Sequence, residues 1–228
     1  MKEGKVLSVL KKSLLIMLTA FLVFAFSSTG AKAASKNPGL LIKDSSMWLE
    51  SRKTSSQYTL ANVKKGDRLI KVKSSNKKVA TAEAAESYDT GLPALRVTPK
   101  KVGNTKVTIV IKRGTKTYTS SMNVHVVKYK NPLKSFKIGS KEYASRLAEH
   151  PNTSDTLSGK EKVTAVAKGE WKVTGLYTYN YNTKKGKSYK NGKAINVGKV
   201  TQVSVIVQSK KNPKIQLSVH VLASSPRS

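Results

Sequence analysis

Short runs of apolar and β-branched residues, separated by Gly, Pro and Asn, dominate the chain after about residue 45. Val107–Ile111 and Val203–Val207 have the length of strands, and Met122, Val124 and Val126 alternate with polar residues. Such alternation places every second side chain on one face of a strand. The pattern predicts an all-β protein in which turns separate short strands.

One segment has a helical pattern. Tyr143 and Leu147 are four residues apart and would share a helix face, and Pro151 would end the helix. We therefore predict a single helix from Lys141 to His150.

Two hairpin-like stretches, residues 100–127 and 195–222, both begin with Val-Gly and close on Val-His-Val. The same ninety-five residues separate Val102-Gly103 from Val197-Gly198 and His125 from His220. We interpret this equal spacing as an internal repeat, in which one structural unit occurs twice along the chain. A unit of this size matches an immunoglobulin-like β-sandwich and can bury a core without disulfides. The predicted fold is two tandem immunoglobulin-like β-sandwich domains.

The first 33 residues have the composition of an export signal. A lysine-rich start precedes Leu14–Phe26, an uncharged run shorter than the ~20 apolar residues that a spanning helix needs. Ala31-Lys32-Ala33 then resembles a cleavage site, which places the mature N-terminus at Ala34. We predict cleavage of residues 1–33, secretion, and no stable membrane insertion afterwards. An uncleaved membrane anchor is the alternative.

The predicted domains span residues 34–130 and 131–223, with a joint at Asn131-Pro132 and a short tail, 224–228. The sequence KSSNKKVATAEA, Lys73–Ala84, resembles the Ser-Ser-Asn-x-x-Val-Ala-Thr signature of bacterial immunoglobulin-like domains of group 2. The segments 103–111 and 123–127 are similar to the strands that follow the signature in that family.

The resemblance covers residues 45–127, and it departs from the family at Val72, where Trp is usual. It implies an extracellular module of a bacterial surface protein, used as a stalk, spacer or adhesin part, with no shared active site. The second domain is inferred from the internal repeat alone.

The high net positive charge of the chain indicates the kind of partner that we expect the protein to bind. The chain has 43 Lys and Arg against 12 Asp and Glu, a net charge of +31, and removal of residues 1–33 would leave +27. An exported protein this basic is expected to meet anionic cell-wall polymers or acidic glycans, and extracellular nucleic acid is a weaker expectation. The chain contains no cysteine, which favours bacterial export. Because lysines are spread over the whole chain, a generally solvated basic surface is the alternative.

No catalytic, cofactor-binding or metal-ligating residue is predicted, and we expect that the protein is not an enzyme. The carboxylates are dispersed, and no nucleophile-elbow, zinc-binding or phosphate-cradling motif occurs in the sequence. Strand alternation predicts that His125 and His220 face water in separate domains while the flanking valines face the core. Their replacement by Gln is therefore expected to change little.

One segment, Trp171 to Lys193, has the composition of a ligand site. Trp171, Val173, Tyr177, Tyr179 and Tyr181 occupy odd positions and would share one strand face. Asn191-Gly192 is a favoured tight-turn pair, which would put Tyr189 and Lys190 near the tip of a ribbon. Tyrosines beside lysines can stack on sugars or bases while the charges hold an anionic backbone. The candidate ligand-binding residues are Tyr179, Tyr181, Lys184, Lys185, Lys187, Tyr189, Lys190 and Lys193.

For Tyr179 and Tyr181, a place in the core is the alternative to a binding platform. The leading hypothesis for function is a non-catalytic, secreted or cell-surface module that associates with anionic polymers through charge. The alternative is an adhesin or glycan-binding protein that uses the discrete Tyr/Lys site. Salt dependence separates the two, because diffuse charge attraction weakens steeply with ionic strength.

Overall fold

The computed structural model describes residues 37–39, 41–50 and 54–224. The predicted export signal and the mature N-terminus at Ala34 lie outside the described residues. The chain divides into two compact units between Lys128 and Tyr129. Regular structure in the described residues is almost entirely β-strand.

Unit 1 is a sandwich of a four-stranded and a three-stranded sheet, ordered β1-β7-β6-β3 and β2-β5-β4. Strand β1 runs parallel to β7, and the other pairs are antiparallel. Leu95 and Val97 of one sheet pack with Val107, Ile109 and Met122 of the other in a single core. The strands are β1 Asp44–Leu49, β2 Ser56–Thr59, β3 Arg68–Ser74, β4 Ala80–Glu86, β5 Pro93–Pro99, β6 Gly103–Arg113 and β7 Lys116–Lys128.

Unit 2 has a five-stranded sheet, β10-β16-β15-β12-β13, and a four-stranded sheet, β14-β11-β8-β9. Its core includes Phe136, Val163, Leu176, Val205 and Val219, all almost fully buried. The strands are β8 Leu133–Ile138, β9 Lys141–Glu142, β10 Asn152–Asp155, β11 Lys160–Ala167, β12 Trp171–Asn180, β13 Lys185–Tyr189, β14 Ala194–Asn196, β15 Gln202–Ser209 and β16 Gln216–Ala223. The predicted all-β fold of tandem immunoglobulin-like sandwiches is confirmed.

The predicted helix from Lys141 to His150 is wrong. The segment forms β9 and then a single 3-10 turn, Ser145–Leu147. Glu142 explains the break, because its Oε1 accepts hydrogen bonds from the backbone N–H groups of Phe136, Tyr143 and Ala144. These side-chain bonds fix the chain in a turn where a helix would need its own backbone pairing.

The predicted internal repeat corresponds to equivalent structure at the two hairpins but not at the two Val-Gly pairs. Gly103 begins β6 and lies opposite Val126, whereas Gly198 lies in a 3-10 turn, Val197–Lys199, outside β15. Val102 is 49% exposed, and Val197 is buried. The two Val-Gly pairs therefore hold different structural positions, although the hairpins β6–β7 and β15–β16 correspond.

Candidate functional site

His125 lies on the outer face of β7, as strand alternation predicts, yet it is only 9% exposed. Its Nδ1 lies 2.7 Å from Oδ1 of Asn104, the residue directly opposite on β6. Since an amide oxygen only accepts, Nδ1 carries the proton. Nε2 is 3.5 Å from Oδ1 of Asp44, which also accepts a hydrogen bond from Asn123. The predicted exposure of His125 is wrong, because neighbouring strands cover the ring.

His220, in β16, is also buried, at 6% exposure. Gln202 donates from Nε2 to Nδ1 of His220 at 3.0 Å, so Nδ1 is unprotonated. The proton is on Nε2, which lies 3.0 Å from the Ser218 hydroxyl, and Ser204 completes the set at 2.9 Å from Nδ1. Burial lowers the pKa of His220 to about 4. The predicted water-facing His220 is a neutral, hydrogen-bonded member of a buried network.

A β-bulge divides the aromatic segment. In β12, Val173 pairs with Val207 while Gly175 pairs with Ile206, so Thr174 is the extra residue. Side chains therefore change faces at this point. Trp171 and Val173 point into the core, and Tyr177 and Tyr179 point to the outer face, opposite Ser204 and Gln202. The prediction that the odd-numbered residues share one face is wrong. The sequence pattern gives no sign of the bulge, and the bulge reverses which positions face the core.

Tyr179 and Tyr181 belong to the packing around the buried network. Tyr179 is 4% exposed, and the Tyr181 ring meets it edge-on with centroids 5.0 Å apart. The Tyr181 hydroxyl donates to Oε1 of Gln202 at 2.6 Å. Burial raises the pKa of Tyr181 to about 12. Through Gln202, the tyrosine pair is connected to His220. The pair is therefore part of a packed cluster on the outer face, which favours a structural role over a binding platform.

Residues 191–192 form the predicted turn, in which Gly192 has a φ of 83°, but this turn leads from β13 to β14 in the other sheet and is not the tip of a ribbon. The tight turn of the β12–β13 hairpin lies at residues 181–184, where Lys184 has a φ of 54°. Asn191 instead connects to the other sheet: its side chain accepts from the backbone N–H of Ala165 at 2.9 Å and donates to the Ala165 carbonyl at 2.7 Å. This use of the side chain is invisible to a turn-pair rule.

The lysines of the candidate site are exposed, and the two that lie within β13 point away from Tyr179. All five, Lys184, Lys185, Lys187, Lys190 and Lys193, are exposed, and Tyr189 is half-buried. The Lys187 ammonium lies 5.3 Å from the Tyr189 ring centre. Tyr179 faces Gly186 across the strand pair, whereas Lys185, Lys187 and Tyr189 alternate on the other side of β13. The structure thus places Lys185 and Lys187 on the same side of β13 as Tyr189 and on the opposite side from Tyr179. Ligand binding by these residues stays a prediction.

Two ionic clusters were not foreseen. In unit 2, Asp155 contacts Lys141 at 2.5 Å and Arg146 at 2.7 Å, and Arg146 lies 5.3 Å from the centre of the Tyr143 ring. Lys141 foremost, then Arg146, hold the pKa of Asp155 well below its usual range. Burial raises the pKa of Tyr143 to about 12. The cluster ties the 3-10 turn to β10.

In unit 1, Asp67 receives two hydrogen bonds from Arg113, from Nε and from Nη2, each 2.7 Å long. Arg113 lowers the pKa of this carboxyl. Arg113 and Asp67 are 46 residues apart and Arg146 and Asp155 are nine apart, so neither pair has the spacing of neighbours on one helix or strand. Their carboxylates stabilise the fold, and apart from Lys141 they are not available to neutralise the surface lysines.

Within residues 37–39, 41–50 and 54–224, no group of three or more His, Cys, Asp or Glu residues could hold a metal ion. In the same part of the chain, no helix is long and apolar enough to cross a membrane.

No protein-family model matches the chain, and no curated protein matches it. Solved structures with a partial likeness include protocadherin gamma B2 extracellular cadherin domains 1–5 (TM-score 0.30, 10% identity, covering 85% of this chain and 41% of that one). Domains 5–6 of the S-layer protein SbsC align with a TM-score of 0.24 and 16% identity, over 83% of this chain and 96% of theirs. These similarities are too low to support an argument about function, and the fold assignment rests on the strand topology itself.

Proposed function

We propose that the protein is a non-catalytic extracellular module that associates with anionic polymers of the cell envelope or its surroundings. The bacterial immunoglobulin-like signature, the export-type N-terminus and the absence of cysteine support an extracellular location. The excess of positive charge supports the anionic partner.

The observation that carries the proposal is the shortage of carboxylates. With 12 acidic against 43 basic residues, most lysines would lack a carboxylate partner even if every acid paired with one base. Asp67 and Asp155 are already held inside their own units by Arg113, Lys141 and Arg146. The remaining cations repel one another, and a bound polyanion would relieve that repulsion.

The buried polar groups do not support catalysis. His220 is neutral and bonded at both nitrogens within a packed network, and Tyr179 beside it is buried. A general base must reach a substrate proton within hydrogen-bonding distance. The network around His220 is therefore interpreted as structural.

The alternative, an adhesin or glycan-binding protein with a discrete Tyr/Lys site in unit 2, receives less support. Such a site requires stacking tyrosines beside lysines, and the strand register puts Lys185 and Lys187 on the side of β13 opposite to Tyr179. Tyr189 beside Lys187 is the part that a ligand could still reach.

Binding to isolated cell walls and to soluble anionic polymers, measured over a range of salt concentrations, tests the proposal. We expect binding whose logarithm falls linearly with the logarithm of salt concentration, as release of counterions requires. Failure of the protein to bind any anionic polymer at low salt would contradict the proposal. Salt-independent binding to a neutral glycan would favour the alternative.

A further inference from the structure

We propose that the outer face of the β3–β6–β7 region in unit 1 is a discrete binding site for linear phosphodiester polymers. This inference rests on the proposed function and gives it a location. The site consists of five cations, which we call the basic outer face: Arg68, Lys71, Lys73, Lys106 and Lys112.

Strand register places these five side chains on one side of the sheet. Leu69 and Val72 of β3 and Ile109 and Ile111 of β6 pack inward, so their alternating neighbours point outward. A bulge at Ile70 keeps Lys71 on the outer side. The outward rows across the three strands are Arg68–Lys112–Thr117, Lys71–Val110–Thr119, Lys73–Thr108–Ser121 and, beyond the end of β3, Lys106–Asn123.

The charges on this face are unopposed. Among the described residues, no carboxylate forms an ion pair with any of the five cations. The nearest acid along the rows is Asp44, beyond Asn123, and it accepts a hydrogen bond from the Asn123 side chain. Arg68 and Lys112 lie directly opposite each other, which is destabilising for like charges.

The other sheet of unit 1 shows that the fold can pair charges across strands. On β4 and β5, Glu83 lies directly opposite Arg96, and the two form an ion pair at 3.3 Å. In the four-stranded sheet, Arg68 faces another cation, Lys112, where a carboxylate could have paired with it. An anion bound between Arg68 and Lys112 would convert their repulsion into attraction to a shared partner.

The geometry and chemistry of the face fit a linear phosphodiester chain. Neighbouring outward residues on one strand are ~6.7 Å apart and adjacent strands are ~4.8 Å apart, so an extended polymer can contact several cations at once. Lysine binds phosphate as a point charge, and Ser and Thr hydroxyls bond phosphate oxygens. Thr108, Thr117, Thr119 and Ser121 lie beside the cations, and no aromatic residue occurs in these four rows. The face is thus suited to the charged backbone of a polymer and not to stacking on sugars or bases.

The test compares two triple variants with the same loss of charge. One changes the face, Lys71→Gln, Lys73→Gln and Lys106→Gln; the control changes exposed lysines of unit 2, Lys185→Gln, Lys187→Gln and Lys190→Gln. The probes are a purified polyglycerol phosphate chain, an unstructured single-stranded oligodeoxynucleotide, and polyglutamate as a carboxylate polymer.

We expect the face variant to bind both phosphodiester probes about tenfold or more weakly than the control variant does. Its salt slope should fall by about 0.7 for each lost phosphate contact, roughly 2 in all. Replacing the same three lysines by Arg should retain binding. The melting temperature of the face variant should stay unchanged or rise, which shows that lost binding is not lost folding.

The remaining outcomes separate a failure of the basic outer face from a failure of the proposed function. Equal weakening of both variants overturns the discrete face and leaves the proposed function standing, whereas no binding by the unchanged protein overturns the proposed function itself. A larger loss in the control variant would move the site to unit 2. Polyglutamate binding with the same dependence on the face would overturn the phosphodiester class. Preference for one of the two phosphodiester probes supports the site and identifies the source of its ligand.

Discussion

The outer faces of the two Val-His-Val hairpins differ sharply, although strand direction and hairpin pairing are alike. In unit 1, cations and hydroxyls beside β6 stay in contact with water, and only the end of the face near His125 is closed. In unit 2, the outer face carries Tyr177 and Tyr179, and the Tyr181 hydroxyl donates to Gln202, which in turn donates to His220. The motif histidine is buried in both units, but His125 lies at the closed end of an otherwise open polar face, whereas His220 lies inside a hydrogen-bonded network. The residues on neighbouring strands, and not the motif, decide the environment of each histidine.

The largest effect should come from Tyr179→Ala. Removing a buried aromatic side chain typically costs about 3–5 kcal/mol, and here it also opens the packing against Tyr181. The matched change Tyr189→Ala removes a half-buried ring and should cost about 1 kcal/mol or less. Urea denaturation followed by the fluorescence of Trp171, with Trp48 replaced by Phe, reports on unit 2. Similar small costs for both changes would mean that Tyr179 is a surface platform after all.

Acid should weaken unit 2 through His220. Because burial holds the folded pKa at about 4, below the unfolded value of 6.5, the unfolded chain binds the proton more tightly. The contribution is complete above pH 6.5 and is lost as the pH falls from 6.5 towards 4, amounting to about 3 kcal/mol at most. Denaturation at pH 7, 5.5 and 4.5 measures the slope.

The substitution His220→Gln should abolish most of that slope, whatever its effect on stability at pH 7. The matched substitution His125→Gln leaves the Gln202–Ser204–His220 network intact and should leave the pH dependence of unit 2 unchanged. An unchanged slope in His220→Gln would show that other groups cause the acid sensitivity. Asp155 and Glu142 have lowered pKa values, so their stabilising effect is lost as the pH falls through the ordinary pKa of a carboxyl. For Glu142 this loss overlaps the acid end of the window, and the difference between the unchanged protein and His220→Gln isolates the share of the histidine.

A smaller effect is expected at Gly186, beneath the Tyr177 ring. A Cβ atom at this position would lie 1.7 Å from the Tyr177 hydroxyl oxygen, so the ring must move. We expect Gly186→Ala to cost about 1–2 kcal/mol. The control Ser188→Ala, on the same side of β13 and exposed, should cost less than about 0.5 kcal/mol. Adding Tyr177→Ser should remove most of the penalty in a double-mutant cycle, and additive costs would contradict the contact.

The sequence pattern predicted the strands that follow from local alternation of apolar and polar residues. It missed the β-bulge and the burial of side chains by strands distant in sequence. The strands β6, β7 and β15 and the inward valines follow directly from period-two patterning. The bulge at Thr174 could not be read, because an extra residue changes the faces without changing composition. The burial of His125 and His220 could not be read either, since strands far away in sequence cover them. Local turn rules correctly favoured a turn at Asn191-Gly192, but they could not show that it connects two different sheets or that the Asn191 side chain bonds to Ala165.

The smallest effect concerns the like charges of unit 1. Removing one of two directly opposed cations by Lys112→Gln should raise the stability of unit 1 by a few tenths of a kcal/mol. The converse change, Arg96→Gln, breaks an exposed ion pair with Glu83 and should lower stability by about 0.2–1 kcal/mol. Both effects should shrink in 1 M salt, where the screening length falls to about 3 Å. Urea titrations at low and high salt, monitored through Trp48 in a Trp171→Phe background, measure the pair. If Lys112→Gln instead lowers the stability at low salt, the packing of the Lys112 aliphatic stem on the sheet outweighs the repulsion between its charge and Arg68. The argument that the charges of the basic outer face are unopposed would then fail for the row Arg68–Lys112–Thr117.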